Sequence, residues 1–197
     1  MTEKTELQKR DLLRMSNQES NAITRECIET AMIRLMEKKP FADISIQDII
    51  TVAGVSRSSY YRNYASKEDI LTQYIRTINE SLSAVMLQYD AVQETKKVWK
   101  ALLIAAKPLA PNYKLLLDAG FGEKLTLEFA KTMNKNVEAS NYALRYSNVY
   151  WAGAISSVLA EWVRNGTDAS IDDLAEIGSN LMVTGIRTVL EYGNKCE

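Results

Sequence analysis

The stretch VAGVSRSSYYRNYASKEDI, residues 52–70, carries three tyrosines, four serines and three basic residues in 19 positions, and no carboxylate before Glu68. Between Asp48 and Glu68 the cations Arg57, Arg62 and Lys67 have no acid among them. The chain as a whole shows no such bias, with 24 Lys+Arg against 25 Asp+Glu and a net charge of −1 over 197 residues. Whatever electrostatic footprint the protein has is therefore local, and a carboxylate-free cationic corner is what a surface facing phosphates requires.

Working outward, Gly54 suits a sharp turn that other residues resist. Ahead of it, Ser45 and Asp48 have capping-box spacing. They open a short helix whose buried side is Ile46, Ile49, Ile50 and Ala53. Behind the glycine, Ser56 caps a second short helix, and Ser66 with Asp69 caps the long helix that follows. Upstream, Asn21–Lys39 places Ile23, Cys27, Ala31 and Leu35 on one face beside Ile28 and Met32, and Pro40 ends that helix. Helix, glycine turn, helix is a helix-turn-helix. The organisation expected is a flexible or weakly helical arm over 1–20, a helix-turn-helix domain over 21–66 and a larger helical domain over 67–197.

In that larger domain, helices are expected at about Lys67–Gln88, Val92–Ala106, Pro111–Leu117, Glu123–Glu138, Asn141–Arg164 and Ile171–Tyr192. Eight glycines and three prolines, with 46 % hydrophobic residues, favour an all-α fold with a real core. The amino terminus lacks the apolar core of a signal peptide, and the greasiest run, YWAGAISSVLAEWV, is interrupted by Glu161 and too short to span a bilayer. A reduced cytoplasmic setting is expected, with Cys27 as a buried thiol and Cys196 far from it. Histidine is absent, which removes the commonest general base and metal ligand. No cofactor, metal or enzymatic activity is expected; catalysis by carboxylates or lysine alone is the reading with least support.

In SRSSYYRNY, residues 56–64, Val55, Tyr60 and Tyr64 share a side suited to pack on Ile46, Ile49 and the first helix. Arg57, Ser58, Ser59 and Tyr61 point elsewhere. Arginine pairs with guanine through two hydrogen bonds and serine serves several bases, while Tyr61, Arg62 and Lys67 suit phosphates. The pattern alone leaves two readings: a recognition helix in a major groove, or a solvated bundle corner whose tyrosines cover the core.

The ordered run TREC…LMEKKPFADISIQDIITVAGVSRSSYYRNYASKEDIL, about Thr24–Leu71, resembles the DNA-binding domain of the TetR family of bacterial regulators. The resemblance rests on the AGVS turn, Tyr61, the aromatic Tyr64 and the Ser66–Lys67–Glu68 helix start. Three positions depart from the family pattern: Ile50 where alanine is common, Ser58 where glycine is common, and Asn63 where a histidine often meets phosphate. The resemblance implies base-facing roles for Arg57, Ser58 and Ser59, phosphate contacts for Tyr61, Lys67 and Thr24, and a donor at Asn63. The DNA-contacting set expected is these seven with Ser45, Ser56 and Tyr60. The carboxy-terminal half is more weakly similar to a branch typified by regulators of dihydroxyacetone kinase operons.

A single recognition helix reads few base pairs, and two-fold dimers present two of them about 34–36 Å apart. The last two helices are apolar on more than one side. Trp151, Ile155, Val158, Leu159, Trp162, Ile177, Leu181 and Ile186 are expected at a homodimer interface, with Gly153, Ala154, Gly178 and Gly185 allowing close approach. A thick monomer core is the alternative. Between the two ends, Met86, Tyr89, Trp99, Leu102, Phe121, Phe129, Met133 and Tyr146 sit at helical spacings. Residue by residue they read as ordinary core; the family resemblance implies a pocket for a small-molecule effector, here apolar or neutral. The function expected is a dimeric, ligand-responsive repressor of a palindromic operator. The alternative is an activator or co-activator working with a partner protein.

Overall fold

The structure, a computed structural model, describes the backbone of residues 6–193 apart from Val92, and the side chains of residues 20–182 with the same exception. Among the described residues the protein is all α, with nine α-helices. They are α1 Glu6–Met36, α2 Ile46–Ala53, α3 Arg57–Asn63, α4 Lys67–Met86, α5 Thr95–Ala106, α6 Ala110–Asp118, α7 Gly122–Met133, α8 Tyr142–Arg164 and α9 Ile171–Gly193. They form two compact units, Met1–Gln73 and Tyr74–Glu197, so α4 contributes to both.

In the first unit α1 packs against α2 and α3. The stretch expected as an arm is helical from Glu6 onward, continuous with the helix expected from Asn21. The buried stripe of α1 is Ile28, Ala31, Met32 and Leu35. Ile23 is exposed and so is Cys27, which corrects the expected buried thiol. The face is rotated because Ile28 and Met32, rather than Ile23 and Cys27, complete the turn shared with Ala31 and Leu35. Cys196 and Gly185 lie outside the described side chains.

Caps carry the short helices. Ser45 accepts from the Asp48 amide while the Asp48 carboxylate accepts from the Ser45 amide, a reciprocal box at the start of α2. Gly54 ends α2 at φ 66°, in the left-handed region that favours glycine. Ser56 accepts from the Ser59 amide at the start of α3, and Ser66 from the Asp69 amide at the start of α4.

In the second unit α5 runs along α9, while α6 and α7 cover α8. Gly178 of α9 lies directly under the Trp99 indole: a Cβ there would come within 2.8 Å of Cζ2 and closer still to Cδ2 and Cε2. The glycine expected at a subunit interface is thus where one chain packs on itself. α4 is tied in by Asn79 Nδ2, which donates to the Leu125 carbonyl at 3.1 Å, and by Asn112 Nδ2, which donates to the Tyr74 hydroxyl at 2.7 Å. The buried Glu128 accepts from Lys131 at 2.8 Å and faces Arg76 at 3.5 Å. At the α8–α9 turn Trp162 Nε1 donates to the Ala169 carbonyl at 3.0 Å.

Candidate nucleic-acid interface

The corner after Gly54 begins with a serine cluster. Ser56 Oγ caps α3 through the Ser59 amide at 3.1 Å and lies 2.9 Å from Ser58 Oγ and 2.8 Å from Ser59 Oγ. Ser56, Arg57, Ser58, Tyr61 and Arg62 are exposed, whereas Ser59 and Asn63 are half-buried. The Arg57 guanidinium carbon sits 5.8 Å from the centre of the Tyr61 ring, so the phenol steadies the arginine without consuming its hydrogen-bond donors. Asn63 Nδ2 donates to the Ser59 carbonyl at 2.9 Å, which occupies one of its two amide donors.

Four members of the expected contact set are committed elsewhere. Tyr60 is 0 % exposed, and burial pushes its phenol up to about 12; a side chain inside the core cannot meet DNA. It stacks edge-on against Tyr61, with ring centres 5.1 Å apart. Lys67 Nζ donates to the carbonyls of Phe41, Ala42 and Ile44 at 2.8, 2.9 and 2.9 Å, so all three ammonium protons are engaged. Ser45 is exposed, but its hydroxyl and amide serve the capping box. Thr24 Oγ1 donates to the Ser20 carbonyl at 2.8 Å, within α1.

Three supporting contacts escaped the sequence. Tyr64 Oη donates to Glu29 Oε1 at 2.7 Å, tying the end of α3 to α1. Burial raises the Tyr64 phenol far above its ordinary range, with the Glu29 hydrogen bond adding to it, and burial also raises the Glu29 carboxyl. Lys39 Nζ donates to Asp48 Oδ2 at 2.8 Å; hydrogen bonds from Lys39 and Ser45 hold that carboxyl well below the usual aspartate range. The third is the Lys67 clasp. No residue spacing announces pairs so far apart in the chain; only the Lys39–Asp48 pair, nine residues apart, lies near a local signal, the Ser45–Asp48 box.

Residues 28–74, which contain α2, the turn and α3, match the profile described as "Bacterial regulatory proteins, tetR family". This segment belongs to the tetR family. The match includes the whole carboxylate-free corner and makes it a DNA-binding helix-turn-helix. A relative similar to this chain is the HTH-type transcriptional regulator EthR of Mycobacterium tuberculosis, 27 % identical over 95 residues, 47 % of this chain and 44 % of that one. The chain thus spans under half the length of this curated relative in the match. Solved structures extend the likeness of fold beyond the tetR-family segment. The dihydroxyacetone kinase operon activator DhaS has a TM-score of 0.56 at 18 % identity, covering 85 % of this chain and 98 % of that one. The TetR family repressor AlkX from Dietzia sp. strain DQ12-45-1b has a TM-score of 0.52 at 12 % identity, covering 83 % and 95 %.

The expected interface and pocket residues distribute differently from their expected roles. Trp151, Ile155, Leu159 and Trp162 are buried within one chain, because α6 and α7 already cover α8 and the α8–α9 turn takes Trp162. Val158 is half-buried, Ile177 is 56 % and Leu181 71 % exposed, and Ile186 lies outside the described side chains. Exposed apolar side chains on α8 are instead Tyr142, Leu144, Val149 and Tyr150, with Tyr146 at 71 %. That exposure removes Tyr146 from any enclosed pocket. Trp99, Leu102 and Phe129 are buried, while Met86, Tyr89, Phe121 and Met133 are half-buried. An open hollow of about 650 Å³ is lined by Gln93, Glu94, Lys96, Lys97, Lys100 and Asp172, none of them in the expected pocket set. Among the described residues no helix is long and apolar enough to cross a membrane.

Proposed function

We propose that this chain is a dimeric cytoplasmic transcriptional regulator, a small-molecule-responsive repressor that binds a palindromic operator through α3. One observation carries the reading: the solvent-facing surface of Ser56, Arg57, Ser58, Tyr61 and Arg62 contains no acid and lies within the tetR-family segment. Arg57 and Ser58 are the base-reading residues, with Ser59 at their edge; Tyr61 and Arg62 hold phosphates. Exposed Tyr146, Val149, Tyr150, Ile177 and Leu181 supply apolar area on α8 and α9 for pairing two chains. The effector response in this reading draws on the tetR-family match; the buried Trp99 Nε1 and Ser83 Oγ have no hydrogen-bond partner and lie outside the lining of the open hollow.

The test is titration of the purified protein into duplex DNA from upstream of its own gene, over a series of salt concentrations. Specific binding with log K falling linearly in log[salt] is expected, with a stoichiometry of two chains per site. Indifference to that DNA at low salt, with and without candidate effectors, would refute the reading.

A further inference from the structure

We infer that Lys67 is a positioning residue for operator recognition, a clasp that fixes the loop before α2, and not a phosphate contact. The inference rests on the DNA-binding reading above and goes beyond it in assigning this residue its work. An ammonium has three N–H donors. In Lys67 each meets a backbone carbonyl, of Phe41, Ala42 and Ile44, at 2.8–2.9 Å. The same ammonium lies 4.7 Å from the centre of the Phe41 ring. No proton remains to donate to a phosphate oxygen. A guanidinium, planar and forked, cannot reproduce three convergent short bonds from one nitrogen.

The loop so held leads directly into the recognition machinery. Its far end is Ser45, the cap of α2, whose partner Asp48 is fixed in turn by Lys39 at 2.8 Å. Lys67 itself is the first residue of α4, three positions after Tyr64, which anchors the end of α3 to α1 through Glu29. The start of α2 and the end of α3 are therefore referenced to one another through residue 67. Loss of the clasp lets the α2 start drift relative to α3. Drift of that kind harms base reading, which needs register, more than it harms backbone attraction, which needs charge.

The experiment compares wild type, Lys67→Ala and Lys67→Arg on the upstream duplex and on a random duplex across a salt series, well below the melting temperature of each variant. Amide exchange at residues 42–46 is read in parallel. Both variants are expected to lose roughly tenfold in preference for the upstream over the random duplex, the worth of one good base contact. Their salt slopes should match wild type, and exchange at residues 42–46 should rise. Retained affinity in Lys67→Arg with a salt slope lowered by about one in Lys67→Ala would show a phosphate contact and overturn the inference. Unchanged preference in both variants, with only a lower melting temperature, would reduce Lys67 to a structural residue and overturn it equally. Wild-type protein that binds neither duplex would instead refute the proposed function itself, a result no Lys67 variant can mimic.

Discussion

α3 and α8 are built by opposite rules. α3 is seven residues long, and each of its positions is decided nearby: Ser56 caps it, Gly54 turns the chain into it, and Tyr60 alone is buried in it. α8 is 23 residues long and apolar around much of its circumference. Which side turns inward there is settled by packing against α6, α7 and α9, not by partners three or four positions away. Trp151, Ile155, Leu159 and Trp162 are covered, while Tyr142, Tyr146, Val149 and Tyr150 face solvent. Polar residues with partners three or four positions away announce their roles. Apolar residues announce only that they will be buried somewhere, in one chain or between two.

The sharpest way to break this contrast lies in the second unit, where the Trp99–Gly178 contact joins residues 79 positions apart. Trp99→Ala should cost about 3–5 kcal/mol, as expected for deleting a buried indole. Gly178→Ala, which pushes a methyl into that indole, should cost about 1–3 kcal/mol by overpacking. Denaturant unfolding of both single variants and the double variant measures their coupling. The alanine at 178 should become nearly harmless once Trp99 is gone, since only the ring stands in its way. Equal costs in the two backgrounds would mean that α5 and α9 do not meet through this pair.

In the first unit the expected effects are smaller and local. Ser45→Ala should destabilise by about 1 kcal/mol through loss of the α2 cap, read by chemical denaturation. The same variant should alter the acid limb of the stability profile. The Asp48 carboxyl is held below its ordinary value of 3.8, chiefly by the Lys39 hydrogen bond and then by Ser45. A depressed carboxylate contributes stability that is present above 3.8 and is lost as pH falls through the lower folded value. Without Ser45 the depression shrinks, and the acid limb should become shallower.

The legibility of the sequence follows the same division. The all-α fold, the capping box at Ser45–Asp48, the left-handed Gly54 and the Ser170 cap that meets the Asp173 amide could all be read from spacings of a few residues. Gly178 carried no such signal, because a glycine that admits an indole from 79 positions away looks like one that admits a second subunit. Lys67 shows the limit even inside the helix-turn-helix. Its charge marks it for phosphate, but the three carbonyls that use its protons lie 23 to 26 residues upstream. Cys27 failed for a related reason: its face of α1 is adjacent to the buried one, and helical spacing alone does not fix the rotation by one residue.

An effect of similar size and opposite sign is expected at Tyr60, where the two rules meet. Its position in α3 is local, yet its hydroxyl is buried without a hydrogen-bond partner. Tyr60→Phe removes a polar atom whose burial nothing compensates, and should raise stability by about 1 kcal/mol in chemical denaturation. The affinity for DNA should be unchanged, because the ring stays in the core and the deleted atom never reaches solvent. The alkaline limb gives a second readout. The folded phenol titrates at about 12 against an ordinary value of 10.0, so the unfolded chain loses its proton first and stability falls across that window as pH rises. Tyr60→Phe should flatten the fall between those two values. A loss of DNA affinity in this variant, with its stability intact, would place the hydroxyl at the interface and return Tyr60 to the contact surface.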